Sequence, residues 1–120
     1  MQEMKKPIEK LEDTIDQKVI INTELHSAIN RYIDLKLKYS DESNKLLLNT
    51  DFKEATGEAR PTVAMKEAYI KNKLFHLHTE LMVCEEYVNS LKRQLRLLDD
   101  YILLYEKMIQ IEVHMGGDVK

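Results

Sequence analysis

The chain has 120 residues, the length of one domain, with 32% charged residues, three Gly, two Pro and no Trp. That mixture favours long helices and supplies too few turn residues for a sheet of several strands. The net charge of −3 is shared by both halves, which disfavours general nucleic-acid binding and leaves room only for local basic patches. Cys84 is the single cysteine, so no intrachain disulfide forms and nothing implies an oxidising compartment. Met1-Gln2-Glu3-Met4-Lys5-Lys6 leads into a mixed acidic and basic stretch rather than an apolar signal core. No apolar run approaches the roughly 18 residues of a membrane span. These features predict a soluble cytoplasmic protein.

A first helix is expected over 7–55, opening at Pro7, whose missing N–H has no helical partner in the first turn. Glu9, Glu12, Asp13 and Asp16 then place negative charge near the positive end of the dipole. Ile8, Leu11, Ile15 and Val19 mark one stripe, Ile21, Leu25, Ala28, Tyr32, Leu35 and Tyr39 another, and Ile29, Ile33 and Leu37 a third. The apolar face wanders, which predicts contact with more than one neighbour. Ser40-Asp41-Glu42-Ser43-Asn44 holds side chains that compete for backbone hydrogen bonds, making residues 40–45 the candidate break in an otherwise continuous helix.

Residues 56–61 form the expected hairpin turn. Gly57 can adopt the left-handed conformation that closes a helix, and Pro61 can restart one. A second helix is expected over 61–115, ended by Gly116-Gly117, with 116–120 as a short tail. Along it Ile70, Leu74, Leu77, Leu81, Cys84, Val88, Leu91, Leu95, Leu98, Ile102, Tyr105 and Ile109 recur at alternating steps of four and three, an unbroken heptad seam. A second seam with the same spacing comprises Leu97, Tyr101, Leu104, Met108, Ile111 and Met115. The fold class is therefore all-α, a long helical hairpin with a coiled-coil-like second helix.

One partner helix covers the first seam but not also the second. Self-association through 97–115 is the expected remedy, most simply as an antiparallel or parallel dimer forming a four-helix bundle. The alternative is a first helix that folds back in two pieces and covers both seams within one chain.

No residue cluster predicts catalysis, a metal site or a cofactor. His76 and His78 are two apart and diverge on a helix, and His76 with Glu80 supplies only two ligands. Cys84 lies on the main seam as a small hydrophobe with no recognisable activating histidine. Glu85-Glu86 and Asp99-Asp100 fall on outward positions and read as solubilising charge. Neither a glycine-rich phosphate loop nor a nucleophile elbow occurs. Arg60, Lys66, Tyr69 and Lys73 surround the turn, where first-turn amides offer a place for an anion or nucleotide. Lys92, Arg93 and Arg96 form a second small basic cluster. For both clusters a solvated face is the simpler interpretation.

The stretch from Leu46 to Leu74 carries Thr50-Asp51-Phe52-Lys53, the turn at Gly57, and Ala68-Tyr69-Ile70 at the opening of the second helix. Together with Asn22–Lys36 upstream, this resembles small helical proteins encoded by bacteriophages of Gram-positive bacteria. The resemblance covers about half the chain. It implies a phage or prophage origin and an intracellular life in a bacterial host, and it brings no assigned activity.

Three functions follow as expectations. The first is a non-enzymatic phage accessory protein that binds a host or phage protein through its helix faces, with inhibition of a host defence or nucleic-acid-processing system as its use. The second is a module that sequesters an anion or nucleotide at the turn or between protomers. The third is a recombination-associated factor binding single-stranded nucleic acid, against which the acidic balance counts.

Overall fold

The computed structural model describes residues 5–118, with side chains described through Met115; residues 1–4 and 119–120, including the opening Met1-Gln2-Glu3-Met4 and the end of the expected tail, lie outside the described residues. Among the described residues the chain is an all-α helical hairpin of four helices without strands. These are α1 (Pro7–Asn49), α2 (Phe52–Thr56), α3 (Val63–Lys73) and α4 (Phe75–Asp118). None is long and apolar enough to cross a membrane.

A single periodicity explains α1. Pro7, Leu11, Thr14, Lys18, Ile21, Leu25, Ala28, Tyr32, Leu35, Tyr39, Glu42 and Leu46 are all buried or half-buried. Their steps alternate between four and three throughout, which is a coiled-coil seam rather than a wandering face. Of the three stripes seen in the sequence, the one from Ile21 to Tyr39 is the packed one. Ile8, Ile15, Val19, Ile33 and Leu37 are exposed.

Three polar residues disguise this seam, and each is accommodated locally. The hydroxyl of buried Thr14 donates to the Lys10 carbonyl at 2.7 Å. Lys18 lays its stem on the seam and carries its ammonium out to Asp99, 2.6 Å away. Glu42 shares Lys45 with Asp41, at 3.7 and 3.2 Å. The helix runs unbroken through 40–45, where a break was the alternative.

The break falls later. α1 stops at Asn49, and Asp51 caps α2 by accepting a hydrogen bond from the Glu54 amide at 3.3 Å. Gly57 then adopts φ 73°, and its N–H reaches the Lys53 carbonyl at 3.0 Å, closing α2 with the left-handed cap a glycine favours. Thr62, rather than Pro61, caps the next helix, its hydroxyl accepting from the Met65 amide at 3.2 Å. The expected second helix is interrupted once. Leu74, at φ −101° and ψ 27°, separates α3 from α4, although hydrogen bonds from Leu74 N–H to Ile70 and from His78 N–H to Leu74 keep helical spacing across it. At the far end α4 continues to Asp118 instead of stopping at Gly116. Glycine costs a helix only about 1 kcal/mol relative to alanine, too little here to end so long an element.

The chain divides into two compact units, and both long helices contribute a segment to each. The first unit joins the chain up to Ser27 with the chain from Val88 onward. Its core holds Val88, Thr14 and Leu91, the last only 1% exposed. The second unit is Ala28–Tyr87. There the Cys84 thiol donates to the Ala28 carbonyl at 3.6 Å, so two small side chains let the α1 and α4 backbones approach closely. Tyr39 meets His78 at 5.7 Å between ring centroids. Buried Phe52 of α2 packs edge-on against Tyr69 of α3, with centroids 5.7 Å apart and an interplanar angle of 83°.

Candidate protein-interaction surface

The first seam of α4 behaves as its spacing requires. Ile70, Cys84, Val88 and Leu91 are buried, and Leu74, Leu77, Leu81, Leu95, Leu98, Ile102, Tyr105 and Ile109 are half-buried. The second seam differs. Leu97, Tyr101, Leu104, Met108, Ile111 and Met115 are between 37% and 62% exposed. All six lie on α4 within the first unit, with three- and four-residue spacing, so they make one continuous apolar ridge along one side of the helix.

Beside this ridge lies an open groove of about 360 Å³ lined by Gln17, Ile20 and Ile21 of α1 and Gln94, Leu97 and Leu98 of α4. Each helix presents the same order of chemistry there: an amide side chain, an exposed aliphatic residue three positions on, and a half-buried aliphatic residue after it. Tyr101 stacks on Tyr105 with centroids 6.1 Å apart and planes 15° from parallel, joining the ridge to the packed seam. A shallow hollow near the end of the ridge is lined by Lys107, Gln110, Ile111, His114 and Met115. Ile20 is the apolar member of this groove that sequence reasoning missed, and Gln17 and Gln94 beside it were not singled out either. Ile20 belongs to none of the three apolar stripes of α1. The repeat of Gln-x-x-Ile-Ile at 17–21 and Gln-x-x-Leu-Leu at 94–98 was the available signal.

Around the turn, Lys66 holds its ammonium 5.5 Å from the Phe52 ring centroid and Lys73 sits 5.6 Å from that of Tyr69. Two of the three basic residues considered for anion binding are thus drawn over an aromatic pair whose centre, Phe52, was not part of that reading. Thr62 takes the Met65 amide, one of the first-turn donors. Arg60 is exposed within the turn. The second basic cluster, Lys92, Arg93 and Arg96, is exposed along α4.

Glu85, Glu86, Asp99 and Asp100 are exposed, with Asp99 paired to Lys18. Asp13 raises the pKa of Lys5, first through its hydrogen bond and then through its charge. Asp41 does the same for Lys45. Both pairs are exposed surface contacts. Among the described residues no three His, Cys, Asp or Glu side chains come together as a metal site. Comparison with known proteins adds no relative: no family model, no curated protein and no solved structure matches the chain.

Proposed function

We propose that this chain is a non-enzymatic helical binding protein that self-associates through the Leu97–Met115 ridge and presents its remaining helix faces to a protein partner. One observation carries the reading: six large apolar side chains at heptad spacing stand exposed on α4 while the parallel seam beside them is packed. A contiguous apolar strip of that length is a recognised mark of an association site. In the first unit α1 offers a second exposed apolar edge at Ile8, Ile15 and Val19, a surface for a further partner helix.

The biological setting we propose rests on the resemblance of residues 46–74 to phage-encoded helical proteins. It is the cytoplasm of a bacterial host, with a host defence or nucleic-acid-processing enzyme as the protein occluded. Affinity capture with Val19→Glu beside wild type tests the partner. A protein that wild type retains and the variant loses fits the proposal; identical recoveries remove that edge as the binding site.

Self-association is tested separately by thermal melting at several protein concentrations. A dimer melts at a temperature that rises with concentration, because folding is linked to association by mass action. Leu104→Glu, which puts a charge at the middle of the ridge, is expected to abolish that dependence while leaving the helical circular dichroism signal at low temperature. A wild-type melting temperature independent of concentration contradicts the reading.

A further inference from the structure

The proposed self-association lays a helix along the α4 ridge, and the groove at the start of that ridge decides what else this helix touches. Leu97 belongs to both features: it is the first ridge residue, and with Gln94 and Leu98 it forms one wall of the groove. The other wall is α1, through Gln17, Ile20 and Ile21. Both walls lie in the first unit. With its side chains a helix is roughly 10 Å across, so one resting on Leu97 also overhangs the groove beside it.

The sequence of α1 marks the same place. Lys10, Asp13, Gln17, Ile20, Glu24 and Ser27 recur three and four apart and so share one face of the helix. Five of the six are charged or polar. Ile20 is the exception; it lines the groove from the helix facing Leu97 and is 58% exposed. The packing of α1 on α4 does not account for an aliphatic residue there, since the packed seam runs through Ile21.

We infer that α1 takes part in the assembly: the α4 helix of a second copy, seated on the ridge, also fills the groove and buries Ile20. This rests on the self-association reading above and extends it from α4 alone to α4 and α1 together. The six ridge residues expose on the order of 600 Å², short of the roughly 800 Å² each partner contributes to a stable interface. Ile20 adds about 100 Å², and Gln17 and Gln94 are both exposed, so the groove supplies most of the difference. The two amides suit the edge of such a contact, because they are uncharged and can bond to backbone or water at the rim. A two-fold assembly repeats every contact, so each chain's groove receives the other chain's α4 and a change at Ile20 acts twice.

Val19 is the matched control. It adjoins Ile20 and is equally accessible, at 60% exposure, but it does not line the groove. Sedimentation equilibrium of the full chain compares wild type with Ile20→Glu, Val19→Glu and Leu104→Glu. Ile20→Glu is expected to weaken dimerisation at least about tenfold, because a carboxylate there must leave water on docking. Val19→Glu adds the same charge and is expected to match wild type. The chain holds no Trp, so Ile20→Trp creates a single fluorescent reporter. Its emission is expected to move to shorter wavelength as concentration rises through the dimerisation range; loss of dimerisation through the larger ring would also place position 20 in the contact.

Ile20→Glu dimerising like wild type while Leu104→Glu does not, or an Ile20→Trp dimer with unshifted emission, overturns the groove contact and leaves the ridge association standing. Equal weakening by Ile20→Glu and Val19→Glu overturns it as well. A wild-type chain that stays single at every concentration overturns both readings. Since the substituted positions are exposed, unchanged circular dichroism separates a lost interface from a lost fold.

Discussion

Leu91 sits at the centre of the α4 seam and, among the described residues, is the most completely enclosed side chain of the first unit, at 1% exposure. Truncation to alanine removes its apolar contacts and leaves a cavity that two rigid helices cannot collapse around. The expected loss is about 2–5 kcal/mol, read as a lower urea midpoint at fixed protein concentration. Leu104→Ala, on the exposed ridge, is expected to lower the midpoint much less under conditions where the chain is monomeric. Gly57 offers a cleaner case, since a methyl group at its Cα would meet nothing within 4 Å. Its φ of 73° is therefore the whole of the constraint. Gly57→Ala should cost about 1–2 kcal/mol, and Gly57→Asn less, because asparagine tolerates the left-handed region. Equal effects of the two substitutions would contradict that account. This position was legible in the sequence because glycine between a Thr and a Glu, just ahead of Arg-Pro, has few other uses. Leu91 was legible from its place in an unbroken repeat.

At the scale of elements, legibility depended on how apolar the seam residues are. The α4 seam is apolar at every step and could be traced from Ile70 to Ile109. The α1 seam has the same period, but Thr14, Lys18 and Glu42 occupy three of its positions. A search for apolar residues alone splits it into stripes and promotes Ile8, Ile15 and Val19 into its place. The polar residues are tolerated because Thr14 bonds its own helix and Lys18 and Glu42 reach charged partners at the rim. The α1–α2 break was also written locally, as Asp51 with Glu54 three residues on, a capping pattern hidden by the more conspicuous Ser40–Asn44 cluster. Thr62→Ala removes the α3 cap and its bond to the Met65 amide. The expected cost is about 1 kcal/mol, and Thr62→Asp should restore most of it. A full loss with Asp at that position would show that the hydroxyl has some role besides capping.

For the molecule as a whole, the helical class followed from composition, whereas the exposure of the second α4 ridge required the structure. Spacing identifies which residues share a face. It does not say whether α1 covers one face or two, since that depends on which α1 residues point inward. With a single seam on α1 committed to a single seam on α4, the described residues leave Leu97, Tyr101, Leu104, Met108, Ile111 and Met115 between 37% and 62% exposed. The exposed ridge is the physical basis for the proposed assembly of two chains, and the proposed binding role depends on it. Sedimentation equilibrium of the wild-type chain from micromolar to near-millimolar concentration measures that assembly directly. The expected mass rises to twice the 14.2 kDa of one chain and stays there, while a mass fixed at one chain over the whole range would contradict the account.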